Sequence, residues 1–167
     1  EESFYTWSTE PSAHVTGLTF SGNEVSANLA WEAATGADGY LILKRDGGTA
    51  PTGIPVDGQD YSVDDVIGDG TVVAVVTDGS TNASIASLTR ASQYAFTVIA
   101  FAWDGSHGAT CHYKTDGTIP SVSGYTMAAN PDSAPGNLTF SCTGFAGLTG
   151  MTISWDKGTS ADYTLVA

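Results

Sequence analysis

Basic side chains are nearly missing from this sequence: 5 lysines and arginines stand against 18 aspartates and glutamates, a formal charge of -13. A surface of that sign repels phosphate backbones and offers no cationic patch from which ion release could drive binding. Nucleic-acid partners are thereby excluded, and anionic membranes are disfavoured for the same reason. No stretch approaches the ~20 apolar residues that a membrane-spanning helix needs. The chain opens Glu1-Glu2-Ser3, without the basic and then apolar run of a secretion leader. A leader removed in maturation would leave the same opening. Cysteine numbers only 2, and no Cys-x-x-Cys, His-Glu-x-x-His or Gly-x-Ser-x-Gly occurs, so no metal or nucleophile motif announces an enzyme. His14, His107 and His112 lack the spacing of a zinc site, which needs three or four convergent ligands.

What is present is a repeat. Tyr5-Thr-Trp7 through Leu18-Thr-Phe20 returns about 120 positions later as Tyr125-Thr-Met127 through Leu138-Thr-Phe140. The copies realign at Leu29-Ala-Trp31-Glu32 against Ile153-Ser-Trp155-Asp156, and again at Asp38-Gly-Tyr40 against Asp162-Tyr163. The first copy runs on far beyond this point, whereas the second stops at Ala167. One whole module and the opening strands of another are expected.

The local pattern is that of strands. Val25, Ala27, Leu29 and Trp31 alternate with polar or small residues, the period-two signature of a strand with one buried face. Tyr40 to Arg45, Thr71 to Val76, Ser84 to Leu88, Tyr94 to Trp103 and Gly108 to Tyr113 read as further strands, separated by Gly and Asp turns. With Val15 to Phe20 these make seven strands and no helix, and the fold class they predict is an all-β sandwich. A hydrophobic fraction of 41% can fill its interior. Trp31, Tyr40, Leu88 and Tyr94 are the expected core markers, with Trp155 and Tyr163 repeating two of them in the second copy. Residues 1–10 read as a linker or the end of a preceding element, 11–114 as the domain, 115–130 as a junction, and 131–167 as the N-terminal part of a second, truncated module.

These features resemble the fibronectin type III module. Pro11 with Leu18-Thr-Phe20 precedes a Trp-bearing second strand, a Tyr follows in the third, and Leu88 to Tyr94 looks like the loop entering the sixth. There the resemblance implies a tyrosine corner, with the Tyr94 hydroxyl returning to the chain. The longer segment from Pro55 to Val73 is similar to the variant found in tandem in large secreted or surface proteins of Bacteroidetes-type bacteria. Such a likeness implies an extracellular or cell-surface spacer, presentation or adhesion segment, without catalysis. Its partners would be neighbouring domains of the same chain, another protein or a polysaccharide. The competing reading is a carbohydrate- or protein-binding accessory module of an extracellular enzyme. Fold alone does not choose between them.

Four local features carry chemistry. Cys111 and Cys142 flank the junction, and an oxidising compartment would allow them to close a disulfide; two separate buried thiols are the alternative. Asp57, Asp60, Asp64, Asp65 and Asp69 crowd a Gly-punctuated segment, and hard oxygen ligands so spaced suit Ca²⁺. The same charges would serve equally as a solvated edge that discourages strand pairing. Asn82-Ala-Ser84 and Asn137-Leu-Thr139 match the N-glycosylation acceptor, and Asp132-Ser133-Ala134 resembles the bacterial O-glycosylation signal at Ser133. Tyr5, Trp7 and Trp103 could form a platform for a sugar ring, or Tyr5 and Trp7 could wedge a domain boundary.

Overall fold

The computed structural model describes residues 4–142 and 150–159. The chain divides into two compact units, Glu1–Ala128 and Ala129–Ala167.

The first unit is a sandwich. β1 (Thr16–Gly22), β2 (Ala27–Glu32) and β6 (Asn82–Ile85) form one antiparallel sheet in the order β1-β2-β6. The other sheet holds β4 (Val66–Ile67), β5 (Gly70–Val76), β3 (Gly39–Asp46), β7 (Gln93–Ala102) and β8 (His112–Tyr113) in that spatial order, and β9 (Ser121–Tyr125) also pairs with β7. Between the sheets lie Leu29, Trp31, Tyr40, Ile42, Leu88, Tyr94, Phe96 and Val98. The expected core markers of this unit therefore stand where the alternation put them. Trp31 meets Tyr40 edge-on at 5.2 Å, and the Tyr40 hydroxyl accepts the Ala34 N–H at 3.2 Å. The Tyr94 hydroxyl accepts the Thr89 N–H at 2.8 Å, which closes the tyrosine corner.

Of the seven expected strands the last shrinks to His112–Tyr113, because Gly108–Thr110 forms a 3-10 turn; β4 and β9 are added, and β9 moves the domain boundary. Ser121 to Tyr125 pairs residue for residue with Thr97 to Gln93, so the segment read as a junction, 115–130, supplies the last strand of the first unit. Its period-two signal is weak because Val122 is the one residue of the strand packed on the main core. The linker reading of residues 1–10 is corrected as well. Ser8 N–H donates to the Thr110 carbonyl, Lys114 reaches Glu10, and the His14 imidazole bonds the Asp116 carbonyl.

A second apolar layer covers the outer face of the larger sheet. Leu41, Leu43, Ile99, Phe101, Val72, Tyr113 and Cys111 are buried there with Ile67, under the excursion between β3 and β5. Accordingly β3 and β7 are buried on both faces. Near-continuous apolar strands are what two-sided burial requires.

The second unit contains β10 (Gly136–Cys142) paired with β11 (Met151–Asp156). The pairs Phe140↔Ile153 and Thr139↔Ser154 reproduce Phe20↔Leu29 and Thr19↔Ala30, including a register shift just after Gly136 that matches the one after Thr16. Trp155 thus holds the station of Trp31, yet it is 38% exposed where Trp31 is 5% exposed. Among the described residues of this unit no second sheet faces it, which corrects its expected burial. Tyr163 lies outside the described residues.

Candidate functional site

The acidic segment does not converge. Asp57 accepts the Tyr113 N–H at 2.8 Å and lies 3.8 Å from the His112 imidazole. Asp65 accepts the Ser62 N–H. Asp69 accepts both the N–H and the hydroxyl of Thr52 and pairs with Arg45. The Thr52 backbone bond is the chief reason that its carboxyl sits below the usual range. Asp64 adopts a positive φ of 77° in a turn. Among the described residues no group of three or more His, Cys, Asp or Glu could hold a metal ion. The calcium reading of Asp57, Asp60, Asp64, Asp65 and Asp69 is therefore corrected: Asp57, Asp65 and Asp69 brace the excursion from separate sides, and the five carboxylates share no common centre.

Of the two cysteines, the structure describes the side chain of one. Cys111 is a free thiol buried in the outer layer, and the Cys142 side chain lies outside the described residues. Burial in that layer pushes the thiol's pKa upward, the opposite of an activated nucleophile.

The aromatic platform separates into two places. Tyr5 stacks on His107 with centroids 4.3 Å apart, and Trp7 tilts over His112 at 5.4 Å. Both remain largely exposed, at 46% and 57%. Trp103 turns instead to Phe101, edge-on at 6.4 Å. Asp104, in the turn that follows, accepts from the His107 imidazole and from the N–H groups of Ser106 and His107. The imidazole bond is the largest of the causes that hold its carboxyl well below the usual range.

Both N-glycosylation asparagines, Asn82 and Asn137, are exposed, and the Asn137 amide donates to Asp156. Ser133 is exposed, and its hydroxyl oxygen accepts the Thr159 N–H at 2.8 Å.

A concavity lies over the outer layer. A cleft of about 140 Å³ is lined by Asp60, Tyr61, Val75, Thr77, Phe101, Trp103, Cys111 and Tyr113. Phe101 and Tyr113 are opposed across β7 and β8 with centroids 5.4 Å apart. Tyr61, from the excursion, meets Tyr113 edge-on at 5.9 Å. The Tyr113 hydroxyl donates to the Gln59 carbonyl, and burial drives its pKa strongly upward. An open groove bounded by Asp38, Thr77, Trp103 and Asp104 adjoins the cleft, sharing Thr77 and Trp103 with it. Sequence reading singled out Trp103 and Asp60 but missed Tyr61, Phe101 and Tyr113. The available signal was the outward series Ile99, Phe101, Trp103 along β7, which a one-sided strand would not carry.

No family description matches the chain, and no curated protein matches it in sequence. Among solved structures, the fold is similar to those of fibronectin type III domains. The fn3 domain of human contactin 1 is 15% identical, with 80% of this chain and 92% of that one covered and a TM-score of 0.49. FN3tt is 15% identical over 73% of this chain and 100% of its own, with a TM-score of 0.47. The fn3 domain of the human collagen alpha-1(XX) chain is 15% identical over 80% and 100%, with a TM-score of 0.45.

Proposed function

We propose that this chain is a non-catalytic segment of a modular extracellular or cell-surface protein, holding its neighbours apart and presenting them. The supporting observation is the course of the chain ends through the first unit. Residues 8 to 23 run alongside 110 to 127 in the same direction: Ser8 bonds Thr110, His14 bonds Asp116, and the Asn23 carbonyl accepts the Met127 N–H. The chain therefore enters at one pole and leaves at the other, the arrangement that lets sandwiches follow one another as beads. The β10–β11 copy of β1–β2 supplies the beginning of a next bead. Neighbouring domains are the first partners under this reading. The acidic surface is suited to solvation between them.

Force applied to the two ends of the first unit would shear these neighbouring segments rather than peel them. Optical-trap stretching of the whole chain tests this. The expected result is one abrupt, reversible unfolding step of the first unit, with a gain in length of roughly 400 Å from its extended chain. Gradual yielding without a step would overturn the spacer reading. Turnover of a polysaccharide or peptide substrate would overturn its non-catalytic part.

A further inference from the structure

The cleft over the outer layer has the makings of a specific site, and it is independent of the spacer reading. Aromatic rings wall it, and a ring presents the negative side of its quadrupole from its face. None of the chain's lysines or arginines lines it. Asp60 stands at its rim with an exposed carboxylate that no hydrogen bond or ion pair engages. Gly108 makes room for that side chain: a Cβ there would lie 2.5 Å from the Asp60 Cγ. Electrostatically the cleft is thus prepared for a positive charge.

Its chemistry narrows the kind of cation. A metal ion would need several oxygen, nitrogen or sulfur ligands, and no such group exists among the described residues. A primary ammonium carries three donors and is strongly hydrated. Beyond the Asp60 carboxylate the cleft offers it few acceptors, because the Tyr113 hydroxyl already donates to Gln59 and the Tyr61 hydroxyl accepts the Val56 N–H. A methylated cation carries its charge on an apolar surface and prefers aromatic faces. The volume of about 140 Å³ also suits it, since cavities near 150 Å³ take a benzene-sized guest.

We propose that this cleft binds a methylated ammonium group, with the partly buried Tyr61 and Trp103 flanking the cation, the buried Phe101 and Tyr113 beneath it, and Asp60 at its mouth. The chemistry recognised is the trimethylammonium group itself, carried by a free small molecule or as the headgroup of a larger one.

The experiment titrates the whole chain with choline and with tetramethylammonium, read by calorimetry and by the Trp103 indole resonance. The comparison ligand is 3,3-dimethyl-1-butanol, the uncharged isostere of choline. Both cations are expected to bind saturably, and the alcohol about tenfold more weakly or less. Asp60→Asn should weaken choline about tenfold while leaving thermal unfolding unchanged, because its carboxylate supports no other group. Trp103→Ala should weaken it at least as much, and added salt should weaken binding to the wild type. Equal affinity for the alcohol would show an apolar cavity only. That result, undiminished binding by Asp60→Asn, or no response to either cation overturns the proposal. None of these outcomes bears on the stretching experiment, so the two readings fail separately.

Discussion

Gly17 and Asn137 occupy the same position in two copies of one bulge. Each lies one residue inside its strand, with φ of 62° and 50°, between a paired first residue and the resumption of register at Thr19 or Thr139. The left-handed backbone is open to Gly without cost, and Asn tolerates it better than other side chains. Gly17→Ala should therefore destabilise the first unit by about 1 kcal/mol, and Gly17→Asn by less than half of that. The Glu32 side chain, whose carboxylate accepts from the Thr16 hydroxyl, lies 3.2 Å from a Cβ there and must give by a few tenths of an ångström. Urea unfolding of the three proteins ranks them; an Asn variant as weak as the Ala variant would contradict the equivalence.

Around the tyrosine corner, β9 is tied back to the loop before β7. The Thr126 hydroxyl donates to the Thr89 carbonyl at 2.6 Å and accepts the Ser92 N–H at 3.0 Å, while Tyr94 serves the Thr89 N–H. Tyr94→Phe leaves that N–H unserved and should cost about 1–2 kcal/mol; Thr126→Val, which strands two backbone groups, should cost as much or more. The two act on one loop, so the double variant should lose less than the sum of the singles. Strict additivity in denaturant titrations would show that the ties are independent.

How much of this was legible in the sequence depended on how local the signal was. Trp31, Tyr40 and Tyr94 announced the inner core because their strands alternate or carry large aromatics. The duplicated bulge was readable as the Leu-Thr-Phe repeat, since identical side-chain patterns demand identical register. Strand β9 escaped because Gly124 and two serines leave it almost no apolar signature, and pairing with β7 decides its structure. The cleft escaped for another reason: Tyr61, Phe101 and Tyr113 come together only through the fold. Of the carboxylates that looked like a cation cluster, Asp57, Asp65 and Asp69 became partners of backbone N–H groups, which sequence spacing does not reveal.

The titrating groups set a stability profile with two shoulders. Asp69, Asp78, Asp104 and Asp116 all have carboxyls held below the usual carboxylate range, by Thr52, Ser80, His107 and Lys114 respectively as the leading partners. Groups depressed on folding stabilise above their unfolded pKa, and that contribution is lost as pH falls through the folded value. Stability should therefore decline below about pH 4. Cys111 and Tyr113 are raised by burial above 9.0 and 10.0. As acids kept neutral in the fold, they cost stability once pH climbs above the unfolded pKa, because the unfolded chain alone then releases protons. That favours the unfolded state increasingly, so melting temperature should fall again above about pH 9. A Tyr113→Phe variant should flatten the alkaline shoulder while keeping the acid one; unchanged loss above pH 9 in that variant would count against Tyr113 as its source.

The outer apolar layer makes the strongest demand on stability measurements. In a sandwich with one core, side chains on the outside of a sheet meet water, and truncating one costs under about 1 kcal/mol. Here Leu43 is as fully buried as Leu29, although Leu29 lies between the sheets and Leu43 lies beneath the excursion with Ile67 and Val72. Leu43→Ala should consequently cost 2–5 kcal/mol, in the range of Leu29→Ala, roughly as core leucine truncations do elsewhere. Ile67→Ala should lower stability from the covering side. Because Leu43 and Ile67 belong to one cluster, the double variant should fall short of the sum. The check is the denaturation midpoint of each variant. A loss near zero for Leu43→Ala would mean that the excursion does not seal the sheet, and the cleft walled by Tyr61 would lose its support with it.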